Sequence, residues 1–148
     1  MTRNQFTIGW LANQTNCKVQ TIRYYEQIGL MPSPPRSAGN RRLYGPEHKN
    51  RLMFIRHARD LGFPIDAVRE LLKLSDHPDQ SCEAADRVAT AQLREIESRI
   101  NRLQALKVEL ERMVRQCHGS KISECRVIEV LADHSLCLHG EHDAPPAR

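Results

Sequence analysis

The sequence predicts a mainly α protein: an N-terminal unit of short helices with a wing, one very long helix that pairs antiparallel with a copy of itself, and a C-terminal loop bracketed by cysteines. Three observations predict it. In the first half, short apolar-periodic segments are broken at close intervals by Gly and Pro. Between Cys82 and Cys117 there is neither Pro nor Gly, and apolar positions recur in alternating steps of three and four. Immediately beyond, Cys117-His118-Gly119-Ser120-Lys121-Ile122-Ser123-Glu124-Cys125 places two cysteines around a short polar loop.

The bulk properties bound what such a chain does. At 148 residues it holds one compact domain or two small ones. The start, MTRNQFTIGW, has no apolar stretch of the kind a signal peptide needs. No apolar run approaches the ~18–20 residues that span a bilayer. A cytoplasmic location with no membrane partner is therefore expected, where thiols stay reduced. Five cysteines, an odd number, fit metal binding or redox chemistry better than a disulfide framework. Charge is unevenly divided: residues 1–74 carry 12 Lys/Arg against 5 Asp/Glu, and residues 75–148 carry 10 against 13. A basic first half points to a polyanionic partner.

The first helix begins near Ile8, with Thr7 as its N-cap and Ile8, Leu11 and Ala12 on one face. After the polar turn Asn13 to Lys18, a second helix runs from Val19 to Ile28, and Gly29 is suited to end it. Two short helices across a tight turn make a helix-turn-helix. Three prolines in Leu30 to Tyr44 forbid a helix there, and Gly39-Asn40 marks a turn between two extended arms, a β-hairpin or wing. A third helix runs from about Glu47 to Leu61 with Leu52, Ile55 and Leu61 on its apolar face. Pro64 opens the fourth, whose buried stripe is Ile65, Val68, Leu71, Leu72 and Leu74.

The longest helix carries Ala89, Leu93, Ile96, Ile100, Leu103, Lys107, Leu110, Val114 and Cys117 as an a/d seam. One helix cannot bury a narrow seam alone, and the chain offers no second long helix, so a homodimer follows. A short helical run, Val127 to Leu131, opens the tail.

IGWLANQTNCKVQTIRYYEQIGLMP, PPRSAGNRRLYGPE and LMFIRHARDLGFPIDAVRELLKL together resemble the MerR family of transcriptional regulators. The most specific part is Thr21-Ile22-Arg23-Tyr24-Tyr25-Glu26 followed by Ile28-Gly29-Leu30, and the likeness covers roughly residues 6–117. It implies a winged helix-turn-helix DNA-binding domain over 1–74, a connector over 75–81, a dimerisation helix over 82–117 and a metal-binding loop with tail over 118–148. Arg23 and Tyr24 would reach into the major groove. Lys18, Gln20 and Thr21 would meet phosphate at the helix N-terminus. Arg36, Arg41, Arg42 and Tyr44 of the wing would clamp the flanking backbone, while Ile22 and Tyr25 pack the core. Two such domains imply a pseudo-palindromic operator in double-stranded DNA. The resemblance further implies a dimer that distorts an over-long promoter spacer when its effector binds, so that RNA polymerase engages both promoter elements. That control works through DNA deformation energies of the order of ~1–10 kcal/mol.

Cys82 and Cys117 lie ~52 Å apart along one helix at 1.5 Å per residue, too far to share an ion within a chain. In an antiparallel pair, Cys82 of one copy lies opposite Cys117 of the other, and Cys125 folds back onto Cys117. The expected metal site is therefore Cys117 and Cys125 from one chain with Cys82 from its partner. Three thiolates suit soft ions. Copper and gold members of the family carry serine where this chain has Cys82, so Cys82 points to a divalent ion: Zn(II) or Cd(II) first, Pb(II) or Hg(II) next. His118, Cys137, His139 and His142 are further candidate ligands that would complete a tetrahedron or build a second site. Cys17, in the helix-turn-helix, is expected to be a small packing residue. The expected target genes serve metal resistance or efflux. Seven residues separate Cys117 from Cys125, a loop length more like the copper members, which keeps a Cu(I)-responsive regulator as the alternative, alongside a thiol redox or electrophile sensor. An enzyme is not expected: Cys117 and His118 are a nucleophile and a base in name, but adjacent residues rarely align, and no oxyanion loop or substrate pocket is evident.

Overall fold

A computed structural model of the chain describes residues 5–119 and 121–138. Within them the helices are α1 Ile8–Thr15, α2 Val19–Gln27, α3 Pro46–Asp60, α4 Ile65–Ser75, α5 Glu83–Gln116 and α6 Arg126–Ala132. Short 3-10 turns, Ile122–Glu124 and His134–Leu136, flank α6. The chain divides into two compact units, Met1–Gln92 and Leu93–Arg148, with the boundary inside α5. None of the described helices is long and apolar enough to cross a membrane.

In the first unit, local chemistry sets the helix ends. The Thr7 hydroxyl accepts the Trp10 N–H at 3.3 Å and so satisfies an amide that the first turn leaves free. α2 stops before Ile28, and Gly29 follows at φ +75, a conformation that a side chain would strain. α3 starts on Pro46, whose missing N–H costs nothing in a first turn. His48 Nδ1 accepts the Gly45 N–H at 3.0 Å, a capping contact made by a buried side chain. The core joins Leu11 of α1, Ile22 and Tyr25 of α2, Leu30 and Met31 after it, Leu52 and Ile55 of α3, and Val68 of α4. Cys17 packs half-buried against this cluster, as expected.

Two expectations need correction. Leu61 is 55% exposed instead of continuing the α3 face. The helix ends at Asp60 and Gly62 turns the chain at φ +85, so helical periodicity no longer aims that side chain. The wing forms a hairpin without regular strands among the described residues: its arms meet at the isolated bridge Arg36↔Arg42, and Tyr44 bridges back to Phe6. The prolines of the first arm donate no N–H, so a ladder cannot propagate. The tip is closed by Asn40 N–H to Ser37 O at 2.9 Å and Ser37 N–H to Arg41 O at 2.8 Å, with Asn40 in the left-handed region at φ 61.

The start of α5 is tied into the first unit. Gln92 is buried, and its Nε2 donates to the Leu61 carbonyl at 3.2 Å. Farther along, the predicted seam residues Leu93, Ile96, Ile100, Leu103, Leu110 and Val114 are between 38% and 68% exposed in the single chain. In the second unit Met113 and Val130 are buried. Glu109 is buried too; its carboxylate accepts from Arg112 Nη2 at 2.7 Å and from the Leu138 N–H at 3.0 Å, while Arg112 also donates to the Leu136 carbonyl. The charge is thus neutralised and hydrogen-bonded, as a buried carboxylate must be.

Ile55→Ala in the full chain is expected to destabilise the first unit by about 2–5 kcal/mol. Leu61→Ala should change it by less than about 0.5 kcal/mol. Urea unfolding followed by Trp10 fluorescence checks both.

Candidate nucleic-acid interface and thiol site

α2 presents one face to the core and the other outward. Ile22 and Tyr25 are buried, while Gln20, Arg23, Tyr24 and Gln27, at i, i+3, i+4 and i+7, are exposed together. Lys18 is the exposed N-cap residue and makes no side-chain cap, and Thr21 is half-buried one turn on. Between α2 and the hairpin lies a cleft of about 410 Å³ lined by Arg23, Arg36 and Arg42, with Glu26 at its side. Arg36 Nη1 donates to the Asn40 carbonyl at 3.3 Å and to Asn40 Oδ1 at 3.2 Å, which stiffens the wing tip. Arg41 is exposed at that tip. Cationic side chains lining a cleft next to an exposed helix make a seat for phosphate.

Tyr44, expected on DNA with the wing arginines, is not there. It is fully buried, and its hydroxyl donates to Glu26 Oε1 at 2.6 Å. Burial, then the Glu26 carboxylate, hold its phenol well above the ordinary range, so it stays protonated. The aromatic ring favours the interior because α3 and the segment before α1 close over it: Phe6 pairs with its backbone and His48 meets its ring edge. Glu26 is the residue that sequence reasoning passed over. Its other oxygen lies 4.0 Å from Arg42 Nε, so one carboxylate ties α2 to the return arm of the wing at two side chains. The signal was a carboxylate at i+3 from Arg23 on an otherwise basic face, in a half with few acids.

The thiols fall in different places. Cys82 is exposed and directly precedes α5, its carbonyl accepting the Asp86 N–H at 2.9 Å. Cys117 is the first residue after α5, and Cys125 is the N-cap residue of α6. Their sulfurs are 3.8 Å apart, far outside the ~2.05 Å of a disulfide. Two thiolates on one tetrahedral ion at about 2.3 Å would be separated by about 3.8 Å, and on a linear ion by about 4.6 Å. The pair therefore fits a shared soft ion with a bent S–M–S angle. The Ile128 N–H foremost, then the Cys117 thiol and the Val127 N–H, hold the Cys125 thiol below its ordinary range. Among the described residues no three of Cys, His, Asp and Glu gather about one point. His118 is exposed and does not join the pair. Cys137 is half-buried beside the Glu109–Arg112 anchor of the tail. His139 and His142 lie outside the described residues.

A basic, winged helix-turn-helix followed by a long helix with an open seam is the build of a DNA-binding regulator. Comparisons with known proteins agree. The family description "MerR HTH family regulatory protein" matches residues 6–75, and "MerR, DNA binding" matches residues 50–113. The HTH-type transcriptional regulator ZntR of Escherichia coli (strain K12) is 37% identical over 129 residues, covering 85% of this chain and 92% of that protein. Heavy metal-dependent transcription regulator 2 of Rhizobium meliloti (strain 1021) is 34% identical, covering 90% of this chain and 91% of its own length. The crystal structure of the transcription regulator PbrR691 from Ralstonia metallidurans CH34 in complex with lead(II) matches at a TM-score of 0.75 and 37% identity, covering 85% of this chain and 98% of that one. The chain belongs to the MerR family of helix-turn-helix regulatory proteins. Its relatives are transcription regulators, not enzymes.

Three outcomes follow. Arg23→Ala should reduce the slope of log affinity against log salt for operator DNA by about 1, the signature of a lost phosphate contact. Tyr44→Phe should leave that slope unchanged and instead cost about 1–3 kcal/mol of stability, because a hydrogen bond to a carboxylate is lost. In reduced, metal-free protein, alkylation of Cys125 by iodoacetamide should have a midpoint pH below that of an unperturbed thiol, since the Ile128 amide foremost, then the Cys117 thiol and the Val127 amide, favour the thiolate. Peptide mass spectrometry across pH reads it.

Proposed function

We propose that this chain is a metal-responsive transcriptional activator that works as a homodimer. A soft divalent ion, Zn(II) or Cd(II) first and Pb(II) or Hg(II) next, binds Cys117 and Cys125 of one subunit together with Cys82 of the partner subunit. Binding shifts the dimer toward a state that bends and untwists an over-long promoter spacer, so that RNA polymerase engages both promoter elements at metal-resistance or efflux genes. The observation that carries the reading is the thiol pair at 3.8 Å, placed directly after a helix whose apolar seam is open.

Several observations support the finer points. Two thiolates on a monovalent ion leave a net charge of −1, and a third thiolate gives a divalent ion the same net charge, so an exposed Cys82 favours a divalent ion. The sulfur separation suits a bent arrangement better than the linear one of a two-coordinate Cu(I) site. Because Cys82 precedes and Cys117 follows the 34 residues of α5, an antiparallel pairing through the seam would bring the partner's Cys82 to the pair. One relative is called heavy metal-dependent and another was crystallised with lead(II), which supports a heavy-metal effector. The effector must prefer the distorting state for any switch to operate.

In vitro transcription from the chain's own promoter tests this. Metal-free protein titrated with buffered Zn(II), Cd(II), Pb(II), Hg(II) and Cu(I) should activate with at least one divalent ion, and Cys82→Ser should lose at least about tenfold in metal sensitivity, the equivalent of 1.4 kcal/mol. Activation by Cu(I) alone, indifferent to Cys82, would replace the divalent reading with the two-cysteine one.

A further inference from the structure

The loop that joins Cys117 to Cys125 closes unusually tightly, and one residue permits it. A Cβ added at Gly119 would sit 2.7 Å from the Glu124 carbonyl oxygen, 2.7 Å from Glu124 Cβ and 3.0 Å from the Glu124 carbonyl carbon. Real side chains essentially never approach that closely. Two of the three atoms are backbone, so rotating the Glu124 side chain does not relieve the contact. The two ends of the loop would have to separate. Gly119 lies two residues after Cys117, and Glu124 lies one residue before Cys125. The close approach therefore joins the backbone within two residues of both thiols. The remaining contacts across the loop neck are weaker or more distant: the Cys117 and Cys125 thiols at 3.8 Å, and Arg126 Nε to Gln116 Oε1 at 3.2 Å between exposed side chains. Glycine here is needed for space between two backbone segments, a role distinct from a positive φ.

We infer that Gly119 is a positioning residue for the thiol pair: by allowing the loop backbone to close on Glu124 it sets the Cys117–Cys125 sulfur separation, and through that separation the coordination angle the pair offers an ion. This rests on the metal-responsive reading for its second half but not for its first. A bulkier residue at 119 pushes Glu124, and with it Cys125, away from Cys117. The wider pair loses affinity for ions that need a bent angle more than for ions that accept a linear one.

The test separates the two halves. In full-length, reduced, metal-free Gly119→Ala protein, the equilibrium between the Cys117 and Cys125 thiols and glutathione disulfide is measured in a Cys17→Ser, Cys82→Ser, Cys137→Ser background. The protein dithiol and one glutathione disulfide yield the protein disulfide and two glutathione thiols. The constant reports the effective concentration of one thiol at the other. It should fall at least about tenfold relative to Gly119, whereas Lys121→Ala, an exposed change in the same loop, should leave it within about twofold. Far-UV circular dichroism and metal-free operator binding, which does not involve this loop, show that each variant is folded. An unchanged constant in folded Gly119→Ala overturns the inference. With the three other cysteines native, the Gly119→Ala change should then lower Zn(II) affinity more than Hg(II) affinity. A fallen thiol constant with both metal affinities unchanged would uphold the positioning role and count against the metal-responsive reading of the site. Equal losses for both ions would uphold positioning and remove its part in ion choice.

Discussion

An apolar seam that one copy of the chain leaves open is the constraint on which the rest depends. Leu93, Ile96, Ile100, Leu103, Leu110 and Val114 repeat at coiled-coil spacing and stay exposed along α5. Exposed apolar side chains in register are unfavourable in water and favour association. In the proposed antiparallel dimer the same seam that binds two copies also decides which thiols meet. The partner's Cys82 comes to a pair that, among the described residues of one chain, holds only two sulfurs. Assembly and metal chemistry are then one problem: a site with too few ligands in the monomer becomes complete through the interface.

The two compact units are held together internally by different physics. The first has an aliphatic and aromatic core, and its surface chemistry is arranged by one carboxylate, Glu26, between a buried phenol and a wing arginine. That contact fixes the wing against α2 without spending Arg23, whose guanidinium stays exposed on the outward face. The second unit has little apolar core. Its tail is fastened instead by the buried Glu109–Arg112 pair and backbone hydrogen bonds. Such polar fastening is specific in geometry but adds modest net stability.

Much of this was legible in the sequence because it rests on local rules. The Thr7 cap, the Gly29 stop and the long uninterrupted α5 all follow from residue type and spacing, and each is found at its expected place. What escaped depended on long-range packing. The resemblance placed Tyr44 on DNA with the wing arginines, yet its burial is decided by Phe6 and His48, each far from it or hidden in a polar run. Leu61 followed a helical period one residue past the helix end. Glu26 and Gly119 were visible as letters, but their roles depend on distances to Tyr44 and Glu124 that no spacing encodes. The cysteines stand between these cases: their residue type and loop named the chemistry, and the fold supplied the 3.8 Å that makes Cys117 and Cys125 a pair.

The central claim is that each site draws its third thiolate from the other subunit. Mixed dimers test it most directly. One subunit would carry Cys82→Ser with Cys117 and Cys125 intact, and the other would carry Cys117→Ser and Cys125→Ser with Cys82 intact. Metal affinity of the purified heterodimer, measured by competition with a zinc chelator, should match that of a native site, at one ion per dimer, while both parent homodimers bind weakly. A heterodimer that binds no better than its Cys82→Ser parent would contradict the account, because the intact Cys82 on the opposite subunit would then have contributed nothing.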